Sequence, residues 1–296
     1  MRGGGGGPGG PPPPAALCYL ALVARRRGSS SYPRRSSGRP RTGGRQRGQQ
    51  SPKFRAAFCA TCLVDQFYPE VGVAAVKVLR RLGVDVGFPE DQTCCGQIAF
   101  NGGFRSHAAD VAKHFLEVFE NEEQVVVPSG SCASMIKVYY RELFEDDPET
   151  LERAQAVGEK TRELSDYIVN VVGTSDVGAA SEGLVTYHDA CHLLRELRIK
   201  EAPRDLIGGV RGIELQEMED SNACCGFGGL FSVKFPEIST AILDEKLKTI
   251  AESGAGAVVA NDCGCLMHIR GAMERRGMNV RAMHIAELLA EDGTDG

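Results

Sequence analysis

The chain has 296 residues, 42% hydrophobic and 25% charged, an ordinary globular composition with room for one large or two small domains. Its charge is uneven: 12 of the 34 Lys and Arg residues and no acidic residue precede Asp65, so the remainder sets 22 basic against 39 acidic groups, a net charge of −17. A surface that acidic repels phosphate backbones, which excludes nucleic acid as a partner of the folded part.

Residues 1–54 run through poly-Gly, a Pro block and Arg/Ser-rich sequence, and too few large apolar residues are present to offset chain entropy by burial. The expectation is a disordered, low-complexity leader. Its apolar stretch, Ala15 to Ala24, has the length of a signal-peptide core, but Arg25, Arg26 and Arg27 follow it and only Arg2 precedes it, the wrong polarity for export. It is also too short to span a bilayer, so no transmembrane segment is expected. A leader without acidic residues can equally be a transit peptide or the product of a start codon placed too early. With a poor export signal and a chain long enough for a proper core, ten cysteines after Cys18 point to metal or redox chemistry in a reducing, cytoplasmic setting rather than to disulfides.

Globular composition begins at residue 55. Cys59 and Cys62 come first, then a short alternating run through Val84 and Val86, an acidic turn at Glu90 and Asp91, and Cys94-Cys95-Gly96. Phe104, Ala108, Val111, Phe115 and Val118 follow at helical spacing, with His107 and His114 as surface or packing residues. Val125–Val127 reads as a strand running into V-V-V-P-S-G-S-C, whose Cys132 opens a helix. A loop from Gly173 to Gly183 then separates this unit, 55–172, from a second at 183–291.

The second unit repeats the first. Val185–Tyr187 reads as a strand leading into Y-H-D-A-C-H, with His188, Cys191 and His192. Ile213 and Leu215, the acidic pair Glu219 and Asp220, and Cys224-Cys225-Gly226 come next, followed by helical spacing at Leu243, Leu247 and Ile250 and a strand at Ala257–Val259. V-V-A-N-D-C-G-C then ends at Cys265 and lies without gaps over the sequence ending at Cys132. Between the single cysteine and the pair lie 31 residues in one unit and 32 in the other; between the pair and the last cysteine lie 36 and 39. The fold class expected is therefore α/β: two similar cysteine-rich repeats with short parallel sheets and functional turns at the strand ends.

Each repeat supplies four thiols from three turns: Cys62, Cys94, Cys95 and Cys132, then Cys191, Cys224, Cys225 and Cys265. Four convergent thiolates suit a tetrahedral zinc or an iron–sulfur cluster. The adjacent pair favours the cluster, because neighbouring side chains diverge and structural zinc takes cysteines two to four residues apart. A disulfide between neighbours is equally poor, their Cα atoms standing about 3.8 Å apart. Glycines at 96, 130, 226, 228, 229 and 264 would let backbone N–H groups reach the sulfurs. Cys59 and Cys263 fall outside the duplicated register and are either accessory ligands or bystanders. His188 and His192 beside Cys191, and His268 after Cys265, can ligate, relay protons or simply be satisfied by the backbone. No residue is singled out as catalytic. With no C-x2-C-x2-C run and no G-x-G-x-x-G after a strand, hydride chemistry is expected on a partner.

The doubled C…CCG…C pattern resembles the cysteine-rich CCG domain of heterodisulfide reductase and of the iron–sulfur subunits of glycolate oxidase and anaerobic glycerol-3-phosphate dehydrogenase. F-P-E-D-Q-T-C-C-G-Q, V-P-S-G-S-C, Y-H-D-A-C-H, N-A-C-C-G-F-G-G and C-G-C-L-M-H are similar to phrases of the lactate utilisation protein A family, over about Phe54 to Ala290. The resemblance implies an iron–sulfur electron-transfer component of an oxidoreductase that converts L-lactate to pyruvate with a ferredoxin-domain iron–sulfur subunit and a third lactate-utilisation subunit, in the cytoplasm or held at a membrane by those partners. Other members imply another 2-hydroxy acid or a disulfide as substrate; the non-enzyme alternative is a zinc-stabilised scaffold. The fuller domain pattern ends in C-x-x-C, and here Ser129 and Asp262 replace the first cysteine of that pair. Four ligands per repeat suit a [4Fe–4S] cluster, one or two per chain, rather than a five-cysteine noncubane cluster.

Overall fold

The structure, a computed structural model, describes residues 54–293. The expected leader, with Cys18 and the Ala15–Ala24 stretch, lies outside the described residues except for Phe54, which opens the first strand. Short β-branched and apolar runs alternate with helices, which supply the crossovers that parallel strands need, and two four-stranded parallel sheets result.

In the first, β1 (Phe54–Phe58), β2 (Val84–Gly87), β3 (Val125–Val127) and β4 (Thr161–Glu163) lie in the order β2-β1-β3-β4. In the second, β5 (Ala180–His188), β6 (Arg211–Leu215), β7 (Ala257–Ala260) and β8 (Arg281–His284) lie in the order β6-β5-β7-β8. The same order arises twice because the chain reverses direction across the sheet after β2 and again after β6. Each reversal leaves a crevice at the C-terminal ends of the first and third strands, where open α/β sheets place their sites.

The connecting helices are α1 (Cys62–Phe67), α2 (Pro69–Arg81), α3 (Gln97–Asn101) and α4 (Arg105–Phe119), then α5 at 130–143, α6 (Pro148–Lys160) and α7 at 164–172. The second repeat carries α8 (His192–Glu196), α9 (Glu201–Gly208), α10 (Leu230–Lys234), α11 (Pro236–Glu252), α12 (Cys263–Arg275) and α13 (Ile285–Ala290). Among the described residues no helix is long and apolar enough to cross a membrane.

Strand alternation sorts the core. Ala56 and Phe58 of β1 and Val185 and Tyr187 of β5 face one central core that both repeats share with α2, α7, α9 and α13. Ala57 and Cys59 face the outer core of the first repeat, together with Cys95 and Cys132. Cys225 and Cys265 lie in the corresponding outer core of the second. The sulfur-bearing face of each sheet is thus the face turned away from the shared centre.

Two expectations shift. The buried face of α4 is Ala108, Ala112, Phe115, Leu116 and Phe119, while Phe104 stands exposed at the helix start and Val111 and Val118 are half-buried. The helix begins one residue after Phe104, whose ring rests against Gly102 and His107 instead of the core. The loop expected at 173–183 is shorter, because β5 already begins at Ala180 and bulges before Gly183 to keep pairing with β6.

Two paired thiol cages at the strand ends

In the first repeat α1 starts at Cys62, capped by the Thr61 hydroxyl, which accepts from the Val64 N–H. Cys94 and Cys95 sit in the turn after β2, and Cys132 in the first turn of α5. Gln92 locks that turn to the strand end: its side-chain oxygen accepts the Ala60 N–H at 2.7 Å and its amide donates to the Phe58 and Pro89 carbonyls at 3.2 and 2.8 Å. The Cys62 and Cys94 sulfurs lie 3.8 Å apart, and Cys94, Cys95 and Cys132 are in successive contact. Cys191, Cys224, Cys225 and Cys265 form the same chain of contacts in the second repeat. The structure therefore brings together all eight cysteines expected in register, four to a cage, with no disulfide among the ten described cysteines.

The cages agree in detail. Gly96 and Gly226 both sit at φ +83°, a left-handed conformation that suits glycine, and a Cβ on Gly226 would stand 2.5 Å from the Ser239 carbonyl. Each turns its N–H onto the first sulfur of the pair, at 3.4 Å to Cys94 and 3.3 Å to Cys224. Hydrogen bonds from Cys62, from Cys95 and from the Gly96 N–H push the Cys94 thiol down to about 3, and Cys191, Cys225 and the Gly226 N–H likewise hold Cys224 low. Hydrogen bonding with the neighbouring thiols, and then burial, drive the deeper Cys95 and Cys225 up. Four thiols crowded this closely cannot all ionise unless a cation shares their charge, which is the condition a metal centre meets. A donor also reaches the carbonyl of the second cysteine in each repeat: the Tyr140 hydroxyl to Cys95 at 3.0 Å, and His268 Nδ1 to Cys225 at 3.1 Å.

Not every expected glycine serves the sulfurs. The Gly130 N–H donates to the Asn261 carbonyl, and the Gly264 N–H to the Asp262 carboxylate. Gly130 is small for another reason: a Cβ there would lie 2.7 Å from Leu193 of the other repeat. Ser129 and Asp262 also join the repeats. Asp262 accepts the Ser129 hydroxyl at 3.1 Å and the Ser131 N–H at 2.9 Å while capping α12. Tyr139 and His192, both in widened π-type turns, meet ring to ring at 6.2 Å across the same seam. His192 Nδ1 is 3.6 Å from the Cys191 sulfur. Cys263 belongs to the shared core, on the opposite face of α12 from Cys265. His107 is exposed, and His114 Nε2 bonds the Asp91 carbonyl.

The seam holds a buried polar network that sequence reading did not single out. Glu163, fully buried, caps α7 through the Ser165 and Asp166 N–H groups and accepts from Asn261 Nδ2 at 2.9 Å, while Tyr187 donates to Asn261 Oδ1 at 3.1 Å. Burial pushes the Glu163 carboxyl up to about 7, against hydrogen bonds from Ser165 and Asn261 that pull it down. Because its proton is held more tightly folded than unfolded, Glu163 contributes stability below pH 4.5 that is lost as pH rises to about 7, up to roughly 3 kcal/mol. Urea unfolding at pH 5 and pH 8 checks this: Glu163→Gln should shrink the loss between those values, and an unchanged loss would contradict it.

The comparisons with known proteins agree with this duplicated arrangement. The profile of the cysteine-rich CCG domain matches twice, over residues 56–137 and 185–270. Lactate utilization protein A of Bacillus cytotoxicus is 49% identical over 236 residues, which cover 80% of this chain and 98% of that protein. Proteins of the same name from Geobacillus sp. and Bacillus cereus are 47% and 48% identical, covering 99% and 98% of their lengths.

Proposed function

We propose, from the premise that the chain belongs to the cysteine-rich CCG domain family and within it to the lactate utilization protein A proteins, that it is an iron–sulfur subunit conducting the electrons of L-lactate oxidation to pyruvate. The observation that carries the redox part is the pair of matching four-thiol cages, each at the crevice of its own parallel sheet. The lactate part is supported by the relatives' names.

In this reading Cys62, Cys94, Cys95 and Cys132 ligate one [4Fe–4S] cluster, and Cys191, Cys224, Cys225 and Cys265 another, on units spanning 55–172 and 183–291. Such a cluster takes up and releases one electron at a time. The protein contributes thiolates made available by low proton affinity at Cys94 and Cys224, and N–H groups of Gly96 and Gly226 that offset sulfur charge. Conversion of lactate to pyruvate releases two electrons and two protons. No side chain here is assigned to that step, which falls to the ferredoxin-domain subunit or the third subunit of the system. The work takes place in the cytoplasm, where thiols stay reduced, either free or at a membrane through those partners.

Another 2-hydroxy acid, or a disulfide, would use the same cages, and growth separates the substrates. Deleting the gene should abolish growth on L-lactate and leave growth on glycolate normal. Normal growth of the deletion strain on L-lactate would overturn the lactate assignment. The zinc-scaffold alternative is disfavoured by the adjacent cysteine pairs, and metal analysis tests it directly.

A further inference from the structure

One difference between the two cages lies at the ends of β1 and β5. β1 pairs with β3 through Phe58↔Val126, and β5 with β7 through Tyr187↔Val259. One residue further on, at equal distance before Cys62 and Cys191, stand Cys59 and His188. Cys59 therefore has a counterpart, and the counterpart is an imidazole. Both side chains are buried on the sulfur-bearing face of their sheets, His188 completely. His188, Cys225 and Cys265 offer donor atoms that all lie within 4.8 Å of one another. Among the described residues neither ring nitrogen of His188 has a hydrogen-bond partner. A neutral imidazole buried without partners costs the desolvation of two unmet hydrogen-bonding groups unless something else binds it.

We propose that His188 is a ligand of the second repeat's metal centre, so that the two repeats hold unlike centres: thiolates alone in the first, where Cys59 has the corresponding place, and thiolates with one imidazole in the second. This rests on the reading that both cages bind iron–sulfur clusters.

A second difference acts in the same direction. Helices α4 and α11 pack on the glycines of their CCG turns through Ala108 and Ser239. Seven residues beyond each stand Phe115 and Lys246, 0% and 1% exposed. Lys246 Nζ donates to the Asp220 and Ser221 carbonyls at 2.6 and 3.3 Å, in the loop that leads to Cys224. The second site thus has an imidazole where the first has the buried Cys59 thiol, and one buried amine more than the first. A neutral imidazole ligand and a nearby cation both favour the reduced cluster, so the second repeat is the higher-potential site. Electrons passing between clusters held in the two cages would therefore run from the first repeat to the second, which would give conduction through the chain a direction.

The test is pulsed EPR of the reduced full-length protein, purified anaerobically, with iron and sulfide counted. The wild type should show strong nitrogen hyperfine coupling on one of its two cluster signals, and 15N-histidine labelling should change that coupling. His188→Cys should keep wild-type iron, lose the coupling and shift the midpoint potential of that signal downward. His192→Gln should keep the coupling. If His188→Cys does not accumulate, the labelled wild type decides alone. Iron present without histidine coupling, or coupling that survives in His188→Cys, overturns the proposal and leaves the cluster reading standing. A chain without iron and sulfide overturns both.

Discussion

Cys94→Ser should lose the iron of the first repeat and keep that of the second, Cys224→Ser should do the reverse, and the double variant should be colourless. Cys94 touches Cys62 at 3.8 Å, contacts Cys95 and accepts the Gly96 N–H, and Cys224 repeats those relations. A serine hydroxyl in either place stays protonated near neutrality and cannot replace a thiolate whose proton is already displaced. Both positions are only half-buried and the exchange is nearly isosteric, so the effect on the fold itself should be within about 1 kcal/mol. Iron and acid-labile sulfide per chain, with circular dichroism as the control, checks this. Electron transfer from lactate in the assembled system should be lost in either single variant, since conduction needs both sites. Full iron in the double variant would contradict the assignment of these cysteines.

Arg204→Met should be strongly destabilising, at about 3–5 kcal/mol, the usual cost of removing one partner from a buried ion pair. Asp189 directly follows His188 and is 2% exposed, and Arg204 grips both of its oxygens at 2.9 and 2.8 Å. The guanidinium also bonds Glu217 and lies over the Tyr187 ring at 5.0 Å, so lysine is not a conservative substitute. Burial pushes the Asp189 carboxyl up, but hydrogen bonds from Arg204 and Ser221 outweigh it and hold it below the usual range. Ser221 bonds Asp189 through its hydroxyl at 2.8 Å and accepts the Asp189 N–H at 3.0 Å, which moors the loop ahead of Cys224 to the end of β5. Loss of Arg204 should therefore also speed iron loss from the second repeat alone. Urea unfolding measures the first effect and the rate of bleaching in air the second. Pairing Arg204→Met with Asp189→Asn should recover part of the stability, because the stranded charge is gone.

The duplication is legible because thiols are scarce and their spacing survives the divergence of everything around them. Two parallel sheets can be anticipated from β-branched runs at Val125–Val127 and Ala257–Val259, with helical stripes between. Cys59 and His188 are legible as one position only through their equal spacing ahead of Cys62 and Cys191. That both are buried on the sulfur-bearing face is not legible, and the register of β1 on β3 and of β5 on β7 sets it. Lys246 is hidden for a related reason: a lysine in an otherwise apolar stripe reads as solvent-facing, whereas here two carbonyls accept its ammonium in the interior. The seam between the repeats joins residues nearly a hundred or more positions apart, such as Glu163 with Asn261 and Ser129 with Asp262, and local pattern carries no information about such pairs. Proximity in sequence assigns Gly130 and Gly264 to the sulfurs; in the fold one makes room for Leu193 and the other completes a helix cap.

The central claim is one iron–sulfur cluster in each repeat, and iron and acid-labile sulfide counted per chain on anaerobically purified full-length protein tests it most directly. Two [4Fe–4S] clusters predict about eight iron and eight sulfide. A chain that carries stoichiometric zinc and no labile sulfide would contradict the account.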